Sequence, residues 1–179
     1  MMEETDRLWK EINRLSNQTS DIRRATLRAK ENPDRTIFAD YNSNAQNALA
    51  TADWRLFNFE DKIRDTHNAV TIGAAWKFTA PVTSVYIAAA AILFAASANW
   101  AIGDTLALAV YKNGVLYRRI YSSKNINTDT EGWCGGALPI YLLTNEYINF
   151  YVYNGSGGDI TASSTAANVW CAICQERFI

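Results

Sequence analysis

The chain has 179 residues, of which 49% are hydrophobic and only 20% are charged, and its formal net charge is −1. Because there is no excess of lysine and arginine to neutralise phosphates, the composition argues against a nucleic-acid partner. A net charge this close to zero also removes one barrier to self-association, which favours a chain that assembles with other copies.

The first predicted element is a helix in residues 1–31 with the spacing of a coiled coil. Core positions recur at intervals of three and four residues: Thr5, Leu8, Ile12, Leu15, Thr19, Ile22, Thr26 and Ala29. The threonines weaken this seam, so the helix needs a partner, either its own copies or a docking surface. We interpret it as an anchor. An amphipathic helix packed on its own domain is the alternative.

Residues 32–52 follow as a predicted linker. Pro33 ends the helix, since a proline disfavours helical backbone in the residue before it. The segment shows no sustained periodicity of either kind. Ile37, Phe38 and Tyr41 are too apolar for a free tether, which indicates that the linker packs against another surface.

Residues 53–179 alternate between apolar and polar side chains as β-strands do, with turn residues between the strands. Predicted strands cover residues 54–59, 76–79, 82–98, 105–112, 115–121, 137–143, 147–153 and 168–178. Asn113 and Gly114 separate two of them and predict a tight hairpin, because both residues tolerate positive φ. The fold class expected for residues 53–179 is therefore all-β, a β-sandwich.

Residues 78–103 contain no charged side chain. The run is rich in alanine, is interrupted by Pro81 and Asn99, and has no flanking basic cluster. These features favour a strand that is buried on both faces over a membrane helix. The polar, charged residues from Glu3 to Lys10 also indicate that there is no signal peptide. We therefore expect no membrane insertion.

Residues that could carry chemistry are few. His67 lies in a predicted polar turn, and the sequence has no G-x-S-x-G motif whose serine it would activate. Cys171 and Cys174 form a C-x-x-C motif, but the sequence has no second pair of metal ligands to complete a site. Apolar packing of the cysteines is favoured, with metal or redox chemistry as the alternative. Possible calcium ligands lack a recognisable loop pattern; they are Asp129, Glu131 and Asp159. We predict no catalytic residues, no cofactor and no metal. A carboxylate pair assembled from distant strands stays open.

Five short motifs occur in a fixed order in residues 53–179. They are Asp65-Thr66-His67-Asn68, Phe78-Thr79-Ala80-Pro81 with Tyr86, Gly103-Asp104-Thr105-Leu106-Ala107-Leu108, Lys112-Asn113-Gly114 and Tyr147-Ile148-Asn149-Phe150-Tyr151-Val152. Their order resembles the jelly roll of the tumour-necrosis-factor and complement globular-head family, and the first resembles a turn of its phage members. The family often has a Gly-Asp turn where this chain has Leu142-Leu143-Thr144-Asn145-Glu146, which leaves the geometry of that connection open.

This resemblance implies a homotrimer with the last strands near the threefold axis. The interface residues that it implies, together with those of the coiled coil, are Tyr86, Tyr151, Tyr153, Phe178, Leu8, Ile12, Leu15 and Ile22. The alternative is that the four aromatic residues belong to the core of one subunit.

The opening segment Asp6-Arg7-Leu8-Trp9-Lys10-Glu11-Ile12-Asn13-Arg14-Leu15 resembles the start of phage tail and fibre proteins. In those proteins a short helical bundle precedes a receptor-binding or decorating head. The two resemblances together imply a non-enzymatic virion protein at the tail or capsid surface. Its N-terminal segment would contact other virion proteins.

Attachment to a host-surface glycan or protein is the favoured hypothesis for function. Turn-rich segments at residues 122–133 and 154–165 carry the candidate receptor-facing residues: Asn125, Asp129, Trp133, Asn154 and Asp159. The alternative is a capsid decoration or head-fibre protein. It is suggested by the short helix, which reaches only about 35 Å at about 1.5 Å per residue.

Overall fold

The structure is a computed structural model that describes residues 36–44, 48–124 and 131–176. In chain order, the strands of these residues are β1 (Phe38–Asn42), β2 (Ala48–Leu49), β3 (Asp53–Leu56), β4 (Asp61–Asp65), β5 (Val70–Thr71), β6 (Lys77–Thr79), β7 (Ser84–Phe94), β8 (Thr105–Lys112), β9 (Val115–Lys124), β10 (Gly132–Leu142), β11 (Tyr147–Asn154), β12 (Ile160–Thr161) and β13 (Val169–Gln175), with a 3₁₀ turn at Ala166–Asn168. The predicted residues Leu8, Ile12, Leu15, Ile22, Asn125, Asp129 and Phe178 lie outside the described ranges.

Two antiparallel sheets form the fold. The first sheet has the strand order β10-β7-β13-β1-β4, and the second has the order β5-β6-β11-β8-β9 with β3 also paired to β11. Strands β2 and β12 form a separate small ladder. The predicted all-β architecture is confirmed.

The hairpin between β8 and β9 turns at the predicted pair. Asn113 and Gly114 have φ values of 51° and 80°, in the left-handed region that favours asparagine and glycine. The hairpin pairs Lys112 with Val115 across the turn. A local signal of two residues therefore placed this connection correctly.

The core lies between the inward faces of the two sheets, and aromatic side chains fill much of it. The ring of Phe59 lies 5.4 Å from that of Trp76 and 5.9 Å from that of Phe150, both in edge-on contact. All three side chains are fully buried. Each such ring removes about 150–250 Å² of surface from water, so this cluster is a main source of the stability of the fold.

Tyr86 belongs to this core, which makes its assignment to a subunit interface wrong. Its side chain is 0% exposed in the single chain and its ring packs edge-on against Phe78 at 5.3 Å. The hydroxyl donates a hydrogen bond to the carbonyl oxygen of Val82 at 2.7 Å. Tyr86 is buried because side chains alternate along a strand and the even-numbered residues of β7 point into the core.

Part of the predicted linker is a strand of the first sheet. β1 pairs with β13 on one side and with β4 on the other. Ile37 and Tyr41 are buried in the core, and the Tyr41 hydroxyl donates to a carboxylate oxygen of Asp65 at 3.0 Å. Within the described residues, the β-structure therefore starts at Phe38 and not at Asp53. Its apolar side chains pack on their own head, since β13 at the other end of the chain supplies the pairing edge.

The connection from β10 to β11 is a tight turn organised by one carboxylate. The amide N–H of Glu146 donates to the carbonyl oxygen of Leu143 at 3.0 Å, and Asn145 has a φ of 70°. The Glu146 carboxylate accepts the Leu143 amide N–H at 2.8 Å and pairs with the Lys112 ammonium at 2.6 Å. This geometry replaces the glycine turn that the family resemblance would have placed here.

The uncharged run at residues 78–103 contains β7, the long central strand of the first sheet. Its inward residues are fully buried, whereas its outward residues are only half-buried. Among the described residues, no helix has the length and apolar character needed to cross a membrane. Within the single chain, only the inward face of β7 is therefore fully buried, although the sequence predicted burial of both its faces.

Candidate functional site

The outward side of β13, β7 and β10 forms one continuous apolar surface, which we call the apolar face. Three cross-strand rows form it: Trp170, Ala91 and Gly135; Ala172, Ala89 and Ala137; and Cys174, Ile87 and Pro139. Leu93 pairs with Trp133 and Val85 with Tyr141 at its two ends. All of these side chains are uncharged.

The shape of the apolar face follows from residue size. Alanine occupies all three positions of the middle row, so the surface is recessed there. Large aromatic rings lie at its margins. Trp133, Tyr141 and Trp170 are 56%, 54% and 36% exposed. A shallow depression bordered by exposed rings is a shape into which a complementary apolar surface can pack.

Charge lies at the borders of the apolar face: Glu176 follows β13 and its amide N–H donates to the carbonyl oxygen of Val85 at 2.9 Å, and further charge lies on β1. Asp40 pairs with Ala172, and burial raises the pKa of its carboxyl above the usual range. Beside it, the guanidinium of Arg64 lies over the ring of Phe38 at 5.8 Å. The charged border limits the apolar face to three of the five strands of the first sheet.

Soluble chains that stay monomeric rarely expose a contiguous apolar surface of this kind. A strand that is apolar on both sides is typical of a sheet with both faces covered. The apolar face is therefore a candidate interface with another protein surface.

A second feature lies on the outward side of the second sheet. Trp54, Thr105, Ala107, Arg119 and Tyr153 line a pocket of about 280 Å³. The rings of Trp54 and Tyr153 lie 5.5 Å apart, and the Arg119 guanidinium lies 5.3 Å from the Trp54 ring. No sequence motif predicted this pocket: strands were predicted at Trp54 and Tyr153, but their cross-strand pairing is visible only in the structure.

Comparison with known proteins identifies the fold. Neither a protein-family model nor a curated protein matches the sequence. Among solved structures, Eiger TNF from S. frugiperda is similar with a TM-score of 0.61 and 11% identity, over 80% of this chain and 94% of that one. Murine APRIL has a TM-score of 0.57 and 11% identity, over 79% and 100%. The globular domain of zebrafish complement 1qA has 0.53 and 16%, over 78% and 95%. The fold is a jelly roll. At these identities the likeness concerns the fold alone.

The predicted aromatic interface residues occupy different parts of the jelly roll. Tyr86 is in the core, whereas Tyr151 and Tyr153 lie half-buried on the outward side of the second sheet. Tyr151 stacks on Tyr111 with 4.2 Å between ring centroids, and Tyr153 contacts Trp54. The two tyrosines therefore belong to the sheet that carries the pocket and not to the apolar face.

Asn154 is wrongly predicted as receptor-facing, because it is fully buried. Its amide nitrogen donates to the carbonyl oxygens of Leu49 and Gly158, both at 3.0 Å. Its amide oxygen accepts the backbone N–H of Ser156 at 3.0 Å and the Ser156 hydroxyl at 2.7 Å. Asn154 thus fixes the glycine-rich turn after β11, a structural role.

Trp133 is exposed, and it lies in β10 rather than in the predicted loop. Its ring stacks on Tyr121 at 5.3 Å. Gly135 makes room for it, since a Cβ there would lie 2.6 Å from Trp133 Cζ3. Asp159 is also exposed, and its carbonyl oxygen accepts the side-chain amide of Asn99 at 2.6 Å. Of the described receptor-facing candidates, these two are at the surface.

The cysteines divide as their spacing in a strand predicts. Cys171 points into the core and Cys174 points outward onto the apolar face. Burial raises the pKa of the Cys134 and Cys171 thiols well above the usual range, so both remain protonated. Within the described ranges, no cluster of histidine, cysteine and acidic residues is large enough to hold a metal ion.

Proposed function

We propose that this chain is a bacteriophage virion protein whose jelly-roll head assembles as a homotrimer and contributes to attachment to the host surface. The observation that carries the proposal is the apolar face, because a second protein surface is needed to cover it. The proposal includes no catalytic step, no cofactor, and no nucleic-acid or membrane partner.

Two observations support copies of the same chain as the covering surface. A ring of three subunits uses two different patches of each subunit, so a second apolar surface is required. Val115, Leu116 and Tyr117 at the start of β9 are 70%, 43% and 45% exposed. The heptad pattern predicted in residues 1–31 also needs a partner, and copies of the same helix would supply it.

Attachment is the role that suits such an assembly. Three identical heads present three copies of every surface site, so weak single contacts add up to firm binding. The exposed ring of Trp133 and the aromatic pocket beside Trp54 are surface features of the kind that bind ligands.

Imaging whole particles by cryo-electron microscopy tests this proposal. The result expected is threefold density for the head at the tail tip or baseplate. Density on the capsid shell would overturn the attachment role and support the decoration alternative that the short predicted helix suggests. Absence from every particle would overturn the virion assignment itself.

A further inference from the structure

The pocket on the second sheet owes its shape to one long side chain lying across small ones. Trp54 in β3 pairs with Tyr153 in β11, and Tyr153 pairs with Ala107 in β8. The Trp54 ring nevertheless also lies 6.4 Å from the ring of Tyr111 in β8. The indole therefore lies across β11 and reaches over β8.

The alanines beneath it confirm this arrangement. Ala107 and Ala109 point to the outward side of β8, yet they are only 2% and 0% exposed. The aromatic rings cover them. Beside the covered area lies a hollow that is lined by Ala107, by the rings of Trp54 and Tyr153, and by Thr105 and Arg119.

The polar character of the hollow comes from one cation. Within the described residues, Arg119 makes no ion pair, and its guanidinium is held by the ring of Trp54 at 5.3 Å. The acidic residue next to Trp54, Asp53, is paired with Arg55 at 3.3 Å. Arg119 thus presents a positioned, planar set of donors to a ligand, a geometry that suits a carboxylate.

The size and walls of the pocket restrict the ligand further. Its volume of about 280 Å³ is just below the range of about 300–1,000 Å³ that is typical of sites for drug-sized ligands. It therefore holds one ring. Flat aromatic walls favour a ring with an apolar face, and the hydroxyl of Thr105 favours a ring that carries hydrogen-bonding groups. Arg119 is the cationic residue among those that line the pocket, so its charge is matched by a ligand with one negative charge.

We propose that this pocket binds a sugar residue that carries a carboxylate. The C–H face of the sugar packs on Trp54 and Tyr153, its hydroxyl groups reach Thr105, and its carboxylate pairs with Arg119. This inference deepens the proposed attachment function and rests on it for its biological role. The binding itself is a property of the purified chain.

The test compares glucuronic acid with glucose, because the two sugars differ by the carboxylate alone. Binding to the full chain is measured by saturation-transfer NMR and by tryptophan fluorescence. We expect glucuronic acid to bind at least about tenfold more tightly than glucose, since a hydrogen bond between ionised partners is stronger than one between neutral partners. Equal binding of both sugars, or binding of neither, would overturn the proposal. Acetate that competes as well as glucuronic acid would overturn the sugar assignment.

A matched pair of variants locates the site. Arg119→Gln should remove the preference for glucuronic acid, whereas Arg118→Gln should retain it. Both arginines are exposed on β9, but Arg118 lies over Tyr117 at 6.0 Å and does not line the pocket. Trp54→Phe should weaken the binding of both sugars while keeping the preference. Equal losses in the two arginine variants would overturn the assignment to this pocket.

Failure of this inference and failure of the proposed function give different results. A chain that occupies the tail tip but binds no acidic sugar overturns the pocket assignment alone. A chain that binds glucuronic acid through Arg119 but is absent from virions overturns the virion role alone.

Discussion

Ala88 and Ala89 are adjacent in β7 but face opposite sides of the first sheet, which makes them a matched pair for testing the apolar face. Ala88 is 0% exposed in the core, whereas Ala89 is half-buried in the middle row of the apolar face. We consider the change of each residue to aspartate. In the single chain, a carboxylate at residue 89 keeps contact with water, whereas one at residue 88 does not.

The expected magnitudes differ accordingly. Burying an unpaired carboxylate costs several kcal/mol, and the whole stability of a domain is about 5–15 kcal/mol. Ala88→Asp should therefore prevent folding of the head. Ala89→Asp should leave each head folded but bury a charge when copies associate. Burying one carboxylate costs about 3 kcal/mol. Each substituted subunit that joins the assembly should therefore lower the association constant by about a hundredfold.

Light scattering of the purified chain measures assembly, and circular dichroism with urea titration measures folding. Ala89→Ser is the control, because it adds a polar group of similar size to the same position without a charge. Equal assembly of Ala89→Asp and Ala89→Ser would show that the apolar face stays open to water, contrary to this prediction.

Three further variants test contacts within the head. Asn154→Ala removes four hydrogen bonds, three of them buried, and should lower the free energy of unfolding by about 3 kcal/mol in a urea titration, since the partners of the buried bonds stay buried. Tyr86→Phe removes only the bond to Val82 and should cost about 1 kcal/mol in the same assay. The Lys112 side chain, followed by the Leu143 amide, lowers the pKa of Glu146. Glu146 therefore adds stability above its ordinary pKa and loses it as pH falls through the lowered one. The melting temperature of Glu146→Gln should be below that of the parent chain at neutral pH, and the gap should close in acid; a gap independent of pH would contradict this.

Local patterns were enough to predict much of the head. The alternation in β8 and β11 and the Asn113-Gly114 pair mark elements whose conformation is decided by neighbouring residues. β1 has no such signal. Its five residues become a strand because the edge of β13 is available to them, and that partner lies at the other end of the chain.

The candidate sites depended on information that a linear pattern does not contain. Tyr86 and Tyr151 are both strand tyrosines, yet one faces the core and the other faces outward. Asn154 has the sequence context of an exposed turn residue. Its side chain instead points inward and forms hydrogen bonds with the backbone of a buried turn. The pocket joins Trp54 to Arg119 only because β3, β11, β8 and β9 lie side by side in the second sheet. The sequence pattern therefore does not show which strands are neighbours in a sheet, or whether a given residue faces the core or the solvent.

The most direct test of the proposed assembly is the mass of the full chain in solution. We predict that light scattering across a dilution series gives three times the chain mass of 20.0 kDa, with dissociation only at high dilution. A mass equal to one chain at every concentration would contradict the proposal that copies of the chain cover the apolar face. A mass equal to two chains would contradict threefold assembly.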